Sequence, residues 1–303
     1  VIGLADDAYD LDAVLAHEIG HNWFYGALGF NERRYPYLDE GLTTAYETRY
    51  MTAKYPDKKL WEVYFKNRKL AKFLHIESMP LQRMQEIGWL IQARGNTEQP
   101  LNLAAPDYSE ENYNILIYYK SAQGYNYLRA YLGDAVFDSV MHNIYHQWQF
   151  RHPGPADIRA MFELQTGKDL AWYFDDFLKT TKRMDYKIIK NKKKRLLVKN
   201  VGEINSPLMV SGMRGDSVLF STWADGFAGE KWIELPAIDC KEIKMDAGHV
   251  TPELYRLNNN VRTTGIFRRA DPIRTQLFFT MEDPDKRSLM YIPLLNWTRE
   301  NGY

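Results

Sequence analysis

Apolar residues recur three and four positions apart through most of the first 184 residues. That period is typical of helices that bury one face in a core. It predicts helices over residues 11–26, 38–54, 60–74, 118–132, 135–150, 155–166 and 170–179. We therefore expect residues 1–184 to form one mainly α domain.

Beyond Asp185 the pattern changes to short runs of alternating or β-rich character. These runs predict strands over residues 186–189, 196–199, 208–211, 218–222, 232–235 and 243–245. Turn sequences such as Asn191-Lys192 and Asp225-Gly226 separate them at roughly the spacing of a β-sandwich. Residues 185–272 are therefore expected to form a second, all-β domain, which makes the chain multidomain.

The last segment, residues 273–303, alternates again around Phe278, Phe279 and Trp297. Two interpretations stay open for it: the start of a further, truncated β region, or a strand pair packed back on the sandwich. The chain begins with Val1 and ends at Tyr303 inside an apolar stretch. We therefore expect it to be a piece of a larger protein.

Composition adds mainly exclusions. Hydrophobic residues make up 45% of the chain and the formal net charge is zero, which is normal for a globular protein and favours neither nucleic acid nor an anionic membrane as partner. The basic run at residues 190–195 is interpreted as a solvated hairpin turn. No membrane-spanning run is visible, and the single Cys240 excludes a disulfide within the chain.

The strongest chemical signal is the pentapeptide at residues 17–21, followed after eighteen residues by Glu40. Two histidines four apart lie on one helix face, so His17 and His21 can reach one metal ion. Catalytic zinc typically takes three protein ligands and keeps one open position, and Glu40 would supply the third ligand. Glu18 follows His17 on the helix, so it would lie beside the metal without binding it. A general base that takes a proton from zinc-bound water is needed at that place. The spacing predicts a catalytic zinc site with one zinc per chain.

A second histidine pair provides an internal comparison. His142 and His146 are also four apart, but Asn143 follows the first histidine, and no Glu-Gly segment comes after the pair. This pair has the same spacing without a base or a third ligand. We interpret it as a solvated or groove-lining helix face.

The motif and its surroundings resemble the aminopeptidase N family of zinc metallopeptidases, the gluzincins. Residues 17–40 match that family's His-Glu-x-x-His-x18-Glu pattern, and residues 22–24 and 37–41 parallel its Gln-Trp-Phe and Trp-Leu-Asn-Glu-Gly segments. Residues 118–122 look like its Tyr-x-Lys-Gly-Ala segment. The resemblance covers roughly residues 10–180. It implies peptide substrates, a thermolysin-like catalytic domain followed by a β-sandwich, and a role for Tyr118 as hydrogen-bond donor to the tetrahedral intermediate.

Three features depart from the family pattern. Ser121 stands where the family has glycine, and the segment between Glu40 and Tyr118 is longer than usual, so residues 75–113 are interpreted as an insertion near the substrate cleft. The family's Gly-x-Met-Glu-Asn motif, which holds the substrate's amino terminus, is not among the sixteen residues before His17. We therefore expect the chain to contain a competent zinc site but to be a poor aminopeptidase by itself.

The sequence thus favours a zinc-dependent aminopeptidase with Glu18 as general base. Asp39 and Glu47 are candidates for groups that orient the histidines, with plain surface charge as the alternative. Two other functions stay open. A zinc endopeptidase or other zinc hydrolase would use the same centre, and an inactive zinc-binding scaffold would act through its β module. The presence of Glu18 and Tyr118, neither of which is expected to bind zinc, disfavours the scaffold.

Overall fold

A computed structural model describes residues 8–81, 83–192, 194–266, 268–269, 273–277 and 283–293. Its helical part contains α1 Ala8–His21, π1 Asn22–Ala27, α2 Pro36–Lys54, α3 Leu60–Tyr64, α4 Arg68–Phe73, α5 Arg83–Gly95, α6 Glu110–Asn112, π2 Tyr113–Lys120, α7 Ser121–Leu132, α8 Asp134–Trp148, α9 Pro155–Thr166 and π3 Trp172–Phe177, where π1 to π3 are π-helices. A short 3₁₀ turn covers Ala105–Asp107.

The strands follow the helices. They are β1 Tyr186–Lys192, β2 Arg195–Asn200, β3 Leu208–Arg214, β4 Ser217–Ala224, β5 Glu230–Glu234, β6 Glu242–Met245, β7 Asn260–Arg262, β8 Arg274–Leu277 and β9 Ser288–Tyr291. Two antiparallel sheets have the orders β1-β2-β5 and β4-β3-β6-β7, and β8 pairs with β9 in parallel. The predicted succession of helices and then strands is confirmed.

Two main apolar cores follow the same division. The first joins nearly inaccessible helical residues such as Tyr37, Leu116 and Phe162, and it also takes in Met184 and Ile204 from the start of the strand region. The second joins both antiparallel sheets, because residues of β1, β2, β3, β5, β6 and β7 share one buried cluster. Inward-facing positions of the two sheets therefore pack together, as in a sandwich.

The six predicted strands are present, but one predicted turn is wrong. Asn191 and Lys192 belong to β1, in which Lys192 pairs with Arg195. The hairpin therefore turns later than expected. Asn favours turns, but here the ladder of β1 and β2 continues through Asn191 and Lys192.

The helix predictions need several corrections. The helix predicted over residues 60–74 is two helices, α3 and α4, because the chain breaks at Lys66 with a φ of 47°. Asn67 then caps α4 by accepting a hydrogen bond from the Leu70 amide at 3.1 Å. Helix α5 was not predicted at all, and the last predicted helix is the π-helix π3.

The described part of residues 273–303 lies against the helical part. The side chain of Gln276 donates to the Phe73 carbonyl at 2.9 Å, and Arg274 donates to the His75 carbonyl at 3.2 Å. Phe278, Phe279 and Trp297 lie outside the described residues, so the two interpretations of this segment stay open.

Crossing a bilayer requires about 20 consecutive apolar residues in a helix. None of the helices in the described ranges has the necessary length and apolarity.

Gly41 lets α2 approach the start of α7 closely. A Cβ atom at this position would collide with Ser121 Oγ and would lie 2.8 Å from Ser121 Cβ. Ser121 is the residue that replaces the family's glycine, so the two small residues meet at one contact. This contact holds Glu40, the neighbour of Gly41, beside the segment that carries Tyr118.

We expect Gly41→Ala to lower the free energy of unfolding by about 1–3 kcal/mol, because overpacking forces side chains and backbone apart. Adding Ser121→Gly should restore much of this loss. Urea unfolding of the single and double variants measures both effects. Gly88→Ala is the matched control, because its Cβ atom would have its nearest neighbour at 4.0 Å. Unchanged stability of Gly41→Ala would contradict the close approach.

Candidate metal centre

Helices α1 and α2 bring the predicted zinc ligands together. His17 and His21 lie on α1, while Asp39, Glu40 and Glu47 lie on α2. The two helices approach closely beside the histidines, because a Cβ atom on Gly20 would lie only 2.9 Å from Thr43 Cγ2. A larger residue at position 20 would separate the imidazoles from Glu40.

The three candidate ligands converge on one point. Glu40 Oε2 lies 3.1 Å from His17 Nε2 and 3.5 Å from His21 Nε2. One ligand atom from each residue lies within 4.8 Å of the other two. The imidazole centroids are 4.8 Å apart, and the rings are nearly perpendicular at 83°. Two nitrogens and a carboxylate oxygen thus face a common volume, which is the donor set of many catalytic zinc sites.

The outer nitrogen of each histidine contacts another carboxylate. His17 Nδ1 lies 3.1 Å from Glu47 Oε2, and His21 Nδ1 lies 2.7 Å from Asp39 Oδ1. Such contacts fix the tautomer and ring direction of a metal-binding histidine. The side chain of Asp39 is only 3% exposed, which does not fit plain surface charge. Its role and that of Glu47 in orienting the histidines stay predictions.

The electrostatics of the cluster favour a positive charge. Burial by itself lowers the pKa of His17, but hydrogen bonds to Glu40 and Glu47 outweigh it and raise this pKa to about 9. Burial opposes ionisation of Glu40, yet its hydrogen bond with His17 and the charge of His21 hold its pKa below the usual value. Burial raises the pKa of Asp39 to about 6, against the attraction of His21. A proton or a metal ion would be stabilised among these acids.

Tyr118 lies on the other side of Glu40. Its ring centroid is 5.9 Å from that of His17, and its hydroxyl is close enough to the Glu40 carboxylate for the charge of Glu40 to affect its pKa. Burial and the charge of Glu40 raise the pKa of Tyr118, so its hydroxyl keeps its proton at neutral pH and can donate a hydrogen bond. Its neighbour Tyr119 instead lines a cavity of about 200 Å³ with Met51 and Glu47.

Glu18 is exposed beside this cluster and takes no part in the contacts between His17 and the acids of α2. The structure thus brings His17, His21, Glu40, Asp39, Glu47 and Tyr118 together, with Glu18 at the edge.

The second histidine pair lies elsewhere. The rings of His142 and His146 stack with centroids 5.8 Å apart on α8. His142 lines a cavity of about 860 Å³ with Ile19 and Trp23, and neither His17 nor His21 is among the residues that line it. Among the described residues, the only group of three or more His, Cys, Asp or Glu with convergent ligand atoms is that of His17, His21 and Glu40.

The peptidase family M1 domain matches residues 4–177, more than half of the chain. This chain belongs to peptidase family M1. A solved structure of Legionella pneumophila aminopeptidase A in complex with aspartic acid shares 14% sequence identity with it, with a TM-score of 0.51 over 80% of this chain. At that identity the likeness shows the fold alone. The match covers 26% of the Legionella chain. No curated protein matches the sequence.

Two features of this M1 chain were not found from its sequence. Thr43 packs on Gly20, and its hydroxyl lies 3.5 Å from His21 Nδ1. Its position three residues after Glu40, on the same helix face, was a signal that could have identified it. The second feature is Glu98, which accepts a hydrogen bond from Lys120 in the segment that carries Tyr118. No local pattern in the sequence indicates this contact.

Proposed function

We propose that this chain carries the catalytic centre of a zinc-dependent aminopeptidase. The observation that carries the proposal is the convergence of His17, His21 and Glu40 within 4.8 Å, with the Tyr118 ring centroid 5.9 Å from that of His17. A structural zinc site usually closes all four positions with protein ligands, whereas three ligands leave room for chemistry. The zinc site, its ligands and the catalytic roles are parts of this proposal.

The residues present fit a zinc ion. Two imidazole nitrogens and one carboxylate oxygen form a suitable donor set, and Glu47 and Asp39 contact the outer imidazole nitrogens. When bound, zinc would supply a Lewis acid that polarises a carbonyl and makes water more acidic.

The chain's own side chains would do the rest. Glu18 would accept a proton from the attacking water and later deliver it to the departing amine. The Tyr118 hydroxyl would donate a hydrogen bond to the oxygen that becomes negatively charged in the transition state. Asp39 and Glu47 would hold His21 and His17 in the orientation that binds the metal.

Membership of family M1 supports peptide substrates, and the Legionella protein with the similar fold is an aminopeptidase. The preference for free amino termini rests on this relationship rather than on a residue of this chain. We also propose that residues 1–184 form the catalytic domain and residues 185–272 a separate sandwich, since the helices and the two sheets have different apolar cores.

We expect the zinc-loaded chain to hydrolyse aminoacyl-arylamides slowly, to lose this activity on treatment with a chelator, and to regain it with one equivalent of zinc. Fluorogenic release of the arylamine measures the rate. The matched control is the same arylamide with an acetylated amino group, which an aminopeptidase should leave intact.

Cleavage of internally quenched, blocked peptides would favour the endopeptidase alternative. Zinc binding without hydrolysis of either substrate would favour the inactive scaffold. Activity that survives complete removal of zinc would contradict a zinc-dependent mechanism altogether.

A further inference from the structure

The segment that carries Tyr118 has a second, buried anchor. Lys120 lies two residues after Tyr118 in π2, so the two side chains leave the helix on nearly opposite sides. Tyr118 points to Glu40, whereas the Lys120 side chain is only 2% exposed and ends in the core. A short π-helical segment of this kind is frequent at functional sites.

Glu98 receives the Lys120 ammonium group. The Lys120 Nζ donates to Glu98 Oε1, and the indole nitrogen of Trp89 donates to the same oxygen at 2.9 Å. Arg183 donates to the other oxygen, Glu98 Oε2, and also to the Ala93 carbonyl at 3.0 Å. The Glu98 side chain has no exposed surface. The buried Glu98 carboxylate therefore pairs with two cations, Lys120 and Arg183.

Aromatic rings complete the surroundings of the ammonium group. The Lys120 Nζ lies 5.0 Å from the ring centroid of Phe177 and 6.0 Å from that of Trp89, within cation–π range. Burial lowers the pKa of Lys120, and the charge of Glu98 opposes this effect. A buried charge is tolerated when it is paired and hydrogen-bonded, as here. Lys120 therefore has one well-defined position.

We propose that the buried triad of Lys120, Glu98 and Arg183 positions Tyr118 for catalysis. The proposal rests on the catalytic role of Tyr118 given above. The triad ties π2 to the segment after α5 and to the segment before β1, and this restricts rotation of π2 about its axis. Because Tyr118 is on the opposite side of that axis, a rotation would carry its hydroxyl away from Glu40. Lys120, Glu98 and Arg183 are positioning residues and do not touch the metal site.

The test compares Lys120→Met with Tyr118→Phe in the zinc-loaded full chain. Loss of the Tyr118 hydroxyl should lower kcat by about 100-fold to 1,000-fold, since one oxyanion donor is removed. Misplacing it by about 1 Å should lower kcat by up to about 100-fold. We expect Lys120→Met to lower kcat by about 10-fold to 100-fold, with KM and zinc content little changed. In the Tyr118→Phe background it should cause no further loss.

A readout without turnover uses a phosphinic dipeptide, which mimics the tetrahedral intermediate. Its affinity, measured by calorimetry, should fall in Lys120→Met and in Tyr118→Phe, and no further in the double variant. Asp246→Asn is the matched control. It breaks another buried ion cluster, in which Arg256 contacts Asp246 and Glu86, without touching π2. It should leave the affinity unchanged.

Trp89→Phe removes one hydrogen bond to Glu98 and keeps all three charges, so it provides the test if Lys120→Met does not fold. It should reduce kcat and phosphinate affinity several-fold, again only when Tyr118 is present. Equal losses with and without the Tyr118 hydroxyl, or no loss, would overturn the positioning role. If Tyr118→Phe itself left kcat and affinity unchanged, the catalytic role of Tyr118 would be wrong and the positioning proposal would fall with it.

Discussion

Glu18→Gln is expected to lower turnover of an aminoacyl-arylamide by about 100-fold to 10,000-fold, the range that a positioned acid–base group typically contributes. Glutamine has nearly the same shape as glutamate but cannot take a proton from water at neutral pH. Glu18 is exposed at the edge of the cluster, whereas Glu40 lies between the two histidines. Its replacement should therefore leave zinc binding intact, and turnover should be measured at equal zinc occupancy.

Glu230→Gln is a suitable control, because Glu230 is an exposed residue of β5 and should not affect turnover. Elemental analysis of the same samples measures their zinc content and so shows whether Glu18 is a base or a metal ligand. Loss of zinc in Glu18→Gln would make Glu18 a ligand rather than a base. Full activity with full zinc would show that another group accepts the proton from water.

Local patterns predicted which of the candidate site residues would share a helix face. A four-residue histidine spacing on an amphipathic stretch predicted that His17 and His21 would share a face, and α1 places them so. Glu47 follows Glu40 by seven residues, two helical turns, so both fall on the face of α2 that meets α1. Such periodicity is a property of a single helix and needs no knowledge of the tertiary structure.

Pairings between distant segments were not predictable in the same way. Helix α5 was not predicted because the buried residues Arg83 and Glu86 are charged. A buried ion pair interrupts the apolar spacing from which a helix is predicted. Glu98 follows α5 in a polar stretch and looks like surface charge. Its partner Arg183 lies 85 residues away, and no local pattern relates the two. Only packing determines which charged residues become buried together.

The π-helices were also beyond the reach of sequence periodicity. The helix that carries Tyr118 was predicted to begin at that residue, whereas π2 begins at Tyr113. Its backbone bonds skip one residue more than those of an α-helix, so a three-and-four spacing of apolar positions fits it poorly. The predicted start therefore falls inside the segment, whereas the motif that singles out Tyr118 does not depend on where the helix begins.

His21→Ala and Glu40→Ala are each expected to abolish tight zinc binding, because two remaining ligands do not hold a catalytic zinc ion firmly. The chain with all its ligands should bind about one zinc ion. Glu47→Gln leaves the ligand set intact but removes the carboxylate from His17 Nδ1. Loss of such an orienting partner typically lowers metal affinity by about 10-fold to 100-fold. Elemental analysis and competition with a fluorescent zinc chelator measure these differences.

His146→Ala is the matched control for His21→Ala. Both variants remove the second histidine of a pair with four-residue spacing on a helix, but the His142 and His146 pair is not part of a convergent set of three ligands among the described residues. Its replacement should leave one zinc ion bound. Full zinc content in His21→Ala would show that the ligand set is wrong. Loss of zinc in His146→Ala with retention in His21→Ala would move the metal site to α8, where neither Glu18 nor Tyr118 could assist the reaction.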